Sequence, residues 1–188
     1  MTLLRGIPDA QIMNEIAIRT ELKPADIADI VRYHNVYYSE HYGFNHDFGK
    51  YVEGPLTEFY TRNSPAERIW LLEDEAGLKG CIAVTRVSDE EAQLRWFFVD
   101  ESLRGRGIGQ KLIDLLINYA IETYYQRIIL WTVSLLGEAR RVYERNGFVL
   151  AEEHTTNIWG RELVEQKFEK RLRGEEARSL MTESPGEV

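Results

Sequence analysis

The sequence predicts one α/β domain built on a mixed, mostly antiparallel sheet flanked by helices. Three strand-like segments between residues 68 and 99 are joined by turns short enough to require antiparallel pairing. The pattern then changes to helix, strand, helix and two more strands, which makes the sheet mixed. A length of 188 residues gives one domain a full core and is short for two.

The first part of the domain is predicted to be a strand followed by two helices. Residues 16–22 alternate between apolar and polar side chains, as a half-buried strand does. Pro24 suits a first helical turn, and apolar residues then recur at helical spacing to about Ser39. Residues 40–51 are rich in Gly, His, Asn and aromatic residues, so a loop is expected there, before a helix at 52–61.

The remaining elements follow from turn signals and hydrophobic periodicity. The predicted strands are 68–73, 78–87, 92–99, 127–133, 148–152 and 162–170, and the predicted helices are 107–125 and 136–146. The first of these helices is amphipathic, and the strand at 127–133 is apolar throughout, as in strands buried on both faces. We therefore expect a domain at 16–170, an N-terminal arm at 1–15 and a polar tail at 171–188.

Charge and composition argue against several classes of protein. There are 23 Lys and Arg against 31 Asp and Glu, a net charge of −8, so nucleic acid and anionic membranes are not expected partners. No apolar run approaches the ~18 residues of a membrane span, and the first residues lack a secretory signal. With Cys81 the one cysteine, a cytoplasmic location is expected. The four histidines lack the spacing of metal ligands, so no metal is expected.

The most informative segment is a glycine-rich loop between the strand ending at Val99 and the long helix. It reads Arg-Gly-Arg-Gly-Ile-Gly at 104–109. Glycines let a ligand approach the backbone, and the unpaired N–H groups of a helix start attract anions. Neither a Walker Gly-Lys-Ser/Thr nor the spacing of the Rossmann fingerprint is present. The loop predicts a pyrophosphate site, and a turn without a ligand is the alternative.

Two blocks resemble the GNAT N-acetyltransferase family. Residues 104–109 are similar to its acetyl-CoA loop, Gln/Arg-x-x-Gly-x-Gly/Ala, and residues 139–148 are similar to its helix ending in Tyr-x-x-x-Gly-Phe. The blocks lie in the family's order, with the strand at 128–132 between them. Residues 37–43 also resemble bacterial GNAT domains that occur behind MarR-type regulators.

The resemblance implies an enzyme that moves an acetyl group from acetyl-CoA to a primary amine by direct attack in a ternary complex. The sheet would splay open between the strands ending at Val99 and beginning near Ile128, with the co-substrate in the gap. A backbone N–H near Phe98 or Val99 would polarise the thioester carbonyl. Tyr143 would act as the general acid, although its spacing on the helix also suits a core aromatic. Dimers are frequent in the family, so a homodimer is compatible with the resemblance.

The residues expected to hold acetyl-CoA surround this gap. They are Phe97, Phe98, Val99, Arg104, Gly105, Arg106, Gly107, Ile108, Gly109, Gln110 and Ser134. Two positions depart from the family pattern. Glu101 stands where the family commonly has proline, and Val133 and Ser134 stand where many members have a cofactor-binding asparagine.

The general base and the acceptor site are less well defined by the sequence. Glu101, Glu40 and His41 are the candidates for the base. Tyr38, Glu40 and His41 are the expected substrate residues, since their segment looks like a loop rather than core; packing over the sheet is the alternative for its aromatic residues. The negative net charge favours a cationic acceptor such as a polyamine, an aminoglycoside-like amine, a protein N-terminus or a lysine.

Two other functions fit the same pattern. A non-catalytic acyl-CoA sensor would keep the loop at 104–109 and have no use for Tyr143. An interaction domain with a structural glycine-rich turn would bind no cofactor.

Overall fold

The computed structural model describes residues 16–172. The predicted arm at 1–15 lies outside these residues, as does the predicted tail from 173 onward. Arg171 is the last residue of a strand and Leu172 is buried in the core, so the first two residues of the predicted tail are part of the fold.

The described part of the chain contains seven strands and four α-helices. The strands are β1 (Ala17–Arg19), β2 (Arg68–Asp74), β3 (Gly77–Arg86), β4 (Glu91–Val99), β5 (Arg127–Val133), β6 (Val149–Ile158) and β7 (Arg161–Arg171). The helices are α1 (Pro24–Tyr42), α2 (Asp47–Arg62), α3 (Ile108–Glu122) and α4 (Gly137–Arg145), and a short 3-10 turn spans Glu101–Leu103. The mixed, mostly antiparallel sheet flanked by helices is therefore confirmed.

The sheet opens between its two central strands. Its order is β1-β2-β3-β4-β5-β7-β6, and every pair is antiparallel except β4 with β5. These two strands pair over three residues each, from Glu91–Arg127 to Gln93–Ile129. Beyond Gln93 the two strands have no paired residues, and this gap is where the resemblance implied it.

A β-bulge in β4 lies beside the gap. The register with β3 shifts between Cys81 and Ala83, and Trp96 takes a φ of 50°. A regular strand would place Leu94 and Trp96 on one face because they are two residues apart. Here Leu94 packs with α3 and Trp96 packs with α2. The bulge thus changes which face of the sheet the side chains of β4 lie on next to the gap.

Each face of the sheet carries its own apolar core. Leu112, Leu116 and Tyr143 pack on one face, and Ile30, Leu56 and Trp96 pack on the other. Each apolar side chain buried in either core contributes a stabilising free energy of about 25 cal/mol per Å² of surface removed from water.

The loop predicted at 40–51 was wrong. Helix α1 continues to Tyr42, where Gly43 ends it with a φ of 68°, and α2 begins at Asp47. Of the aromatic residues that suggested a loop, Tyr42, Phe44 and Phe48 are buried or half-buried, and the Phe48 ring lies 4.6 Å from that of Tyr38 on α1. Aromatic burial at the helix junction therefore overrode the composition signal.

Candidate active site

The gap in the sheet leads into a cavity of about 410 Å³. Its wall joins α1, the end of β4, the glycine-rich loop and α4. Eight of the predicted cofactor residues line it: Phe97, Phe98, Val99, Arg104, Gly105, Gly107, Ile108 and Gly109. The cavity therefore brings together most of the set that the sequence predicted.

The start of α3 presents an anion site to this cavity. Gly105 and Gly107 have φ values of 74° and 75°, a conformation that side chains with a Cβ rarely adopt. The first helical bond runs from Lys111 N–H to the Gly107 carbonyl at 3.0 Å. The three preceding N–H groups have no helical acceptor, and the helix dipole adds partial positive charge there.

The two arginines of the loop differ in their contacts. Arg104 Nε donates to the Val99 carbonyl at 3.2 Å, its Nη1 lies 3.2 Å from Glu101 Oε1, and its guanidinium stacks over Tyr37. Arg104 therefore folds back against the end of β4. Arg106 is exposed and forms no ion pair within residues 16–172. Of the two side chains, Arg106 is the one that remains available to a phosphate.

Three predicted cofactor residues do not line the cavity. Arg106 is exposed between the lining residues Gly105 and Gly107, and the Gln110 side chain is hydrogen-bonded to Asp114 and Asn146. Ser134 is exposed, and its N–H donates to the Val164 carbonyl at 2.9 Å. After β5, the wall is formed instead by Leu136, which precedes α4, and by Glu138, Ala139 and Val142 of α4.

A second, smaller cavity of about 100 Å³ occupies the other end of the gap. Aromatic residues of α1, α2 and the strands form most of its wall. Its polar residues include Gln93, Arg95, Thr132 and Glu165. Among the residues that line it, Glu165 is the only carboxylate, and its Oε2 lies 3.4 Å from His154 Nε2.

Tyr143 stands between the two cavities. It lines both, as do Tyr38, Phe97 and Leu136. The Tyr143 side chain is 7% exposed, and burial raises the pKa of its phenol well above the usual value. Its hydroxyl makes no hydrogen bond to any other described residue. A neutral phenol is therefore held at the junction with its proton free to be donated.

The three residues predicted as candidate bases lie outside both cavities. Glu101, Glu40 and His41 line neither cavity and are exposed. Glu101 is paired with Arg104 and lies 3.8 Å from His41 Nε2. Helix α1 extends through Glu40 and His41 and leaves both side chains exposed, so neither residue is in a cavity wall. Tyr38, the third predicted substrate residue, does lie in the wall of both cavities.

Several residues in these walls were missed by the sequence analysis. Tyr33 stacks on Phe98 with ring centroids 3.8 Å apart and lines the larger cavity. Arg95 and Glu165 enter the smaller one from β4 and β7. The one sequence signal for Arg95 is a charged residue inside a strand otherwise predicted as core. Glu165 has no comparable signal.

Residues 16–172 contain no group of three or more His, Cys, Asp or Glu arranged to hold a metal ion. No helix in this range is both long and apolar enough to cross a membrane.

Comparisons with known proteins match this arrangement. The profile of the acetyltransferase (GNAT) domain matches residues 65–150. The uncharacterized N-acetyltransferase YjgM of Escherichia coli K12 is 28% identical over 146 residues, which are 75% of this chain and 83% of that protein. Both the glycine-rich loop and Tyr143 fall within the profile match.

Solved structures show the same fold. The protein yncA of Salmonella typhimurium, solved with its cofactor acetyl-CoA, superposes with a TM-score of 0.67 at 19% identity, over 87% of this chain and 97% of its own. A spermidine N-acetyltransferase from Vibrio cholerae, in complex with CoA and spermine, superposes with a TM-score of 0.63 at 20% identity. The match covers 85% of this chain and 96% of that one. The profile match gives residues 65–150 similarity to a GNAT acetyltransferase domain, and the superpositions show the same fold. Together they support an acyl-CoA-dependent acetyltransferase.

Proposed function

We propose that this protein transfers the acetyl group of acetyl-CoA to a primary amine by direct attack in a ternary complex. The observation that carries the proposal is the position of Tyr143 between two cavities. One has the anion-binding helix start expected for a pyrophosphate, and the other is smaller and lined by aromatic residues.

Acetyl-CoA would lie in the larger cavity. Its pyrophosphate would sit on the N–H groups at the start of α3, with Arg106 adding a charge-assisted contact. Its pantetheine arm would run along the part of β4 that has no pairing with β5. The Val99 carbonyl already accepts from Arg104, so pairing with the arm falls mainly to Phe97 and Phe98.

The chemistry needs few catalytic groups because a thioester is already activated. The amine nitrogen attacks the thioester carbon, and a backbone N–H of β4 near Phe98 would stabilise the oxyanion. The C–S bond then breaks, and the Tyr143 hydroxyl gives its proton to the departing thiolate. Burial raises the pKa of Tyr143, so the phenol is neutral before that step. Solvent returns a proton to the phenolate.

Glu165 replaces Glu101 as the proposed base. It is the carboxylate in the wall of the smaller cavity, where the amine would enter. Its side chain is 21% exposed, so a water molecule can relay the proton from the attacking nitrogen. Glu101 is held in its ion pair with Arg104 instead.

The segment 37–43, whose likeness to GNAT domains behind MarR-type regulators suggested a bacterial subtype, supplies Tyr37 and Tyr38 to the larger cavity. We infer a reducing, cytoplasmic environment from Cys81. It is buried, and its thiol donates to the Trp96 carbonyl.

Thermal unfolding with and without acetyl-CoA tests the proposed site. Ligand at 100 times its Kd adds about 2.7 kcal/mol to the free energy of unfolding, which raises Tm by about 5 to 10 °C in a domain of this size. We expect Arg106→Glu to lose this rise. The control, Arg32→Glu, changes an exposed arginine on α1 and should keep it. No rise in the wild type would contradict the proposal, and a rise without turnover of any amine would favour the sensor.

A further inference from the structure

We infer that the acceptor is an amino acid whose carboxylate is bound by Arg95 in the smaller cavity. The inference rests on the proposed function, because it names the class of amine that the enzyme acetylates. It departs from the expectation of a purely cationic acceptor.

Arg95 is a half-buried cation that forms no ion pair with a described residue, and Glu58 acts on it only as a more distant charge. It lies on β4 just beyond the last residue paired with β5, in the wall of the smaller cavity. Its guanidinium lies 5.7 Å from the ring centre of Tyr51 and 5.1 Å from that of Trp96. No carboxylate among residues 16–172 lies within ion-pair distance of it. Removing a guanidinium from water is costly unless an anion compensates it, so the site favours an anionic ligand.

Arg19 is another largely buried arginine of the described fold, and it is paired. Arg19 bonds Asp26 and Glu73, and its side chain is 16% exposed. Burial lowers the pKa of Arg95, whereas the carboxylates around Arg19 raise that of Arg19. This contrast sets Arg95 apart from arginines that serve the fold.

Two more donors in the same wall lack an acceptor. Trp96 Nε1 and Thr132 Oγ1 are buried polar atoms with no hydrogen-bond partner in the described structure. Their residues are 7% and 8% exposed and belong to the two strands that flank the gap. A carboxylate offers only acceptors, so it complements an arginine, an indole N–H and a hydroxyl together.

The opposite charge of an amino acid also has a partner. Glu165 is a carboxylate in this wall and suits the ammonium group before its proton is lost. The aromatic residues Tyr51, Trp131 and Trp159 leave apolar surface for a side chain. A polyamine would instead bring a second ammonium toward Arg95, and like charges repel more strongly in a partly buried site than in bulk water. The local charges therefore favour a zwitterion, despite the net charge of −8.

Matched acceptors with and without a carboxylate test the inference. CoA release is measured with the twenty common L-amino acids, and the preferred ones are compared with their amides and decarboxylated amines. L-phenylalanine, L-phenylalaninamide and phenethylamine are one such series. We expect kcat/KM to be about 10- to 100-fold higher with the carboxylate, as a charge-assisted contact gives. Arg95→Gln should remove this preference and Arg95→Lys should restore part of it. Arg86→Gln, at an exposed arginine on β3, should leave it unchanged.

A binding measurement separates this inference from the proposed function. The protein is saturated with CoA, and each amino acid and amide is titrated by calorimetry, which needs no turnover. Tighter binding of the amino acids, lost in Arg95→Gln, supports the inference even when no acetyl transfer is found. Equal binding or turnover of the amides, or no binding of any of the twenty amino acids, overturns it. Acetylation of amines without a carboxylate preference would leave the proposed function intact.

Discussion

Gln110 and Asn146 exchange two amide hydrogen bonds, with Gln110 Nε2 2.6 Å from Asn146 Oδ1 and Asn146 Nδ2 3.1 Å from Gln110 Oε1. Asn146 also donates to the Val142 carbonyl at 2.8 Å, where it caps α4. The pair joins the start of α3 to the end of α4, and both helices form walls of the larger cavity. Gln110 was predicted to contact the cofactor directly, and its bonds favour an indirect role.

Breaking this amide pair should weaken acetyl-CoA binding. We expect Gln110→Ala to raise the Kd for acetyl-CoA about threefold to tenfold, since a neutral hydrogen bond contributes about 1 kcal/mol. Calorimetric titration measures the Kd. The control, Gln126→Ala, changes an exposed glutamine away from both cavities. An unchanged Kd in Gln110→Ala would show that the pair does not shape the site.

Removal of the Tyr143 hydroxyl should slow chemistry and leave binding intact. The hydroxyl has no hydrogen-bond partner among the described residues, so Tyr143→Phe keeps the packing. We expect kcat to fall about 100-fold, as for a lost general acid, with the Kd for acetyl-CoA unchanged. Tyr60→Phe, at an exposed position on α2, is the control. Equal kcat values for Tyr143→Phe and wild type would rule out the acid role.

His34 should make stability depend on pH. Its ring is buried, which lowers the pKa to about 4, and Nδ1 donates to the Ile30 carbonyl at 2.9 Å. The unfolded chain therefore binds more protons than the folded one between about pH 6.5 and pH 4. Stability is full above this window and is lost as the pH falls through it, by about 3 kcal/mol for a difference of this size.

Urea unfolding at pH 7 and pH 4.5 measures this loss. We expect a smaller loss in His34→Gln than in wild type, and a wild-type loss in His154→Gln, because His154 is half exposed. Identical pH profiles for His34→Gln and wild type would assign the loss to other groups.

A buried carboxylate near the start of β2 should be important for stability. Glu67 accepts two hydrogen bonds from Arg62, at 3.0 and 2.9 Å, and one from the Arg86 N–H at 2.8 Å. Its side chain is 1% exposed. Glu67→Ala leaves these donors unsatisfied, so we expect a loss of about 2 to 4 kcal/mol in the free energy of unfolding.

The matched control is the second carboxylate near Arg62. Glu58 is 3.9 Å from Arg62 and 75% exposed, so Glu58→Ala should cost under about 0.5 kcal/mol. Urea denaturation of both variants gives the comparison. A loss from Glu67→Ala no larger than that from Glu58→Ala would contradict the role given to the buried carboxylate.

Local signals in the sequence were enough to predict much of the fold, whereas the expected cofactor residues came from the resemblance to a family, and eight of them line the larger cavity. The strand at 127–133 has the predicted bounds. A strand buried on both faces is apolar throughout, so the limits of the apolar run mark its ends. β6 was predicted at half its length, since its side chains are mostly exposed and show no alternation. Gly105 and Gly107 were a visible signal in the sequence, because their positive φ values are ones that residues with a Cβ rarely adopt.

The acceptor cavity could not be predicted in the same way. Arg95 and Glu165 lie on strands far apart in the chain, and they line one cavity only because the sheet opens beyond Gln93. The bulge at Trp96 changes which side chains face that opening. Such convergence depends on tertiary geometry, which neither periodicity nor composition records.

Initial rates measured while acetyl-CoA and the acceptor are both varied test direct transfer at Tyr143. No covalent enzyme intermediate is expected. Cys81 is buried, and burial raises the pKa of its thiol. The account predicts double-reciprocal lines that intersect, because both substrates must occupy their cavities together. Parallel lines, together with an acetylated enzyme seen by mass spectrometry in the absence of acceptor, would contradict it.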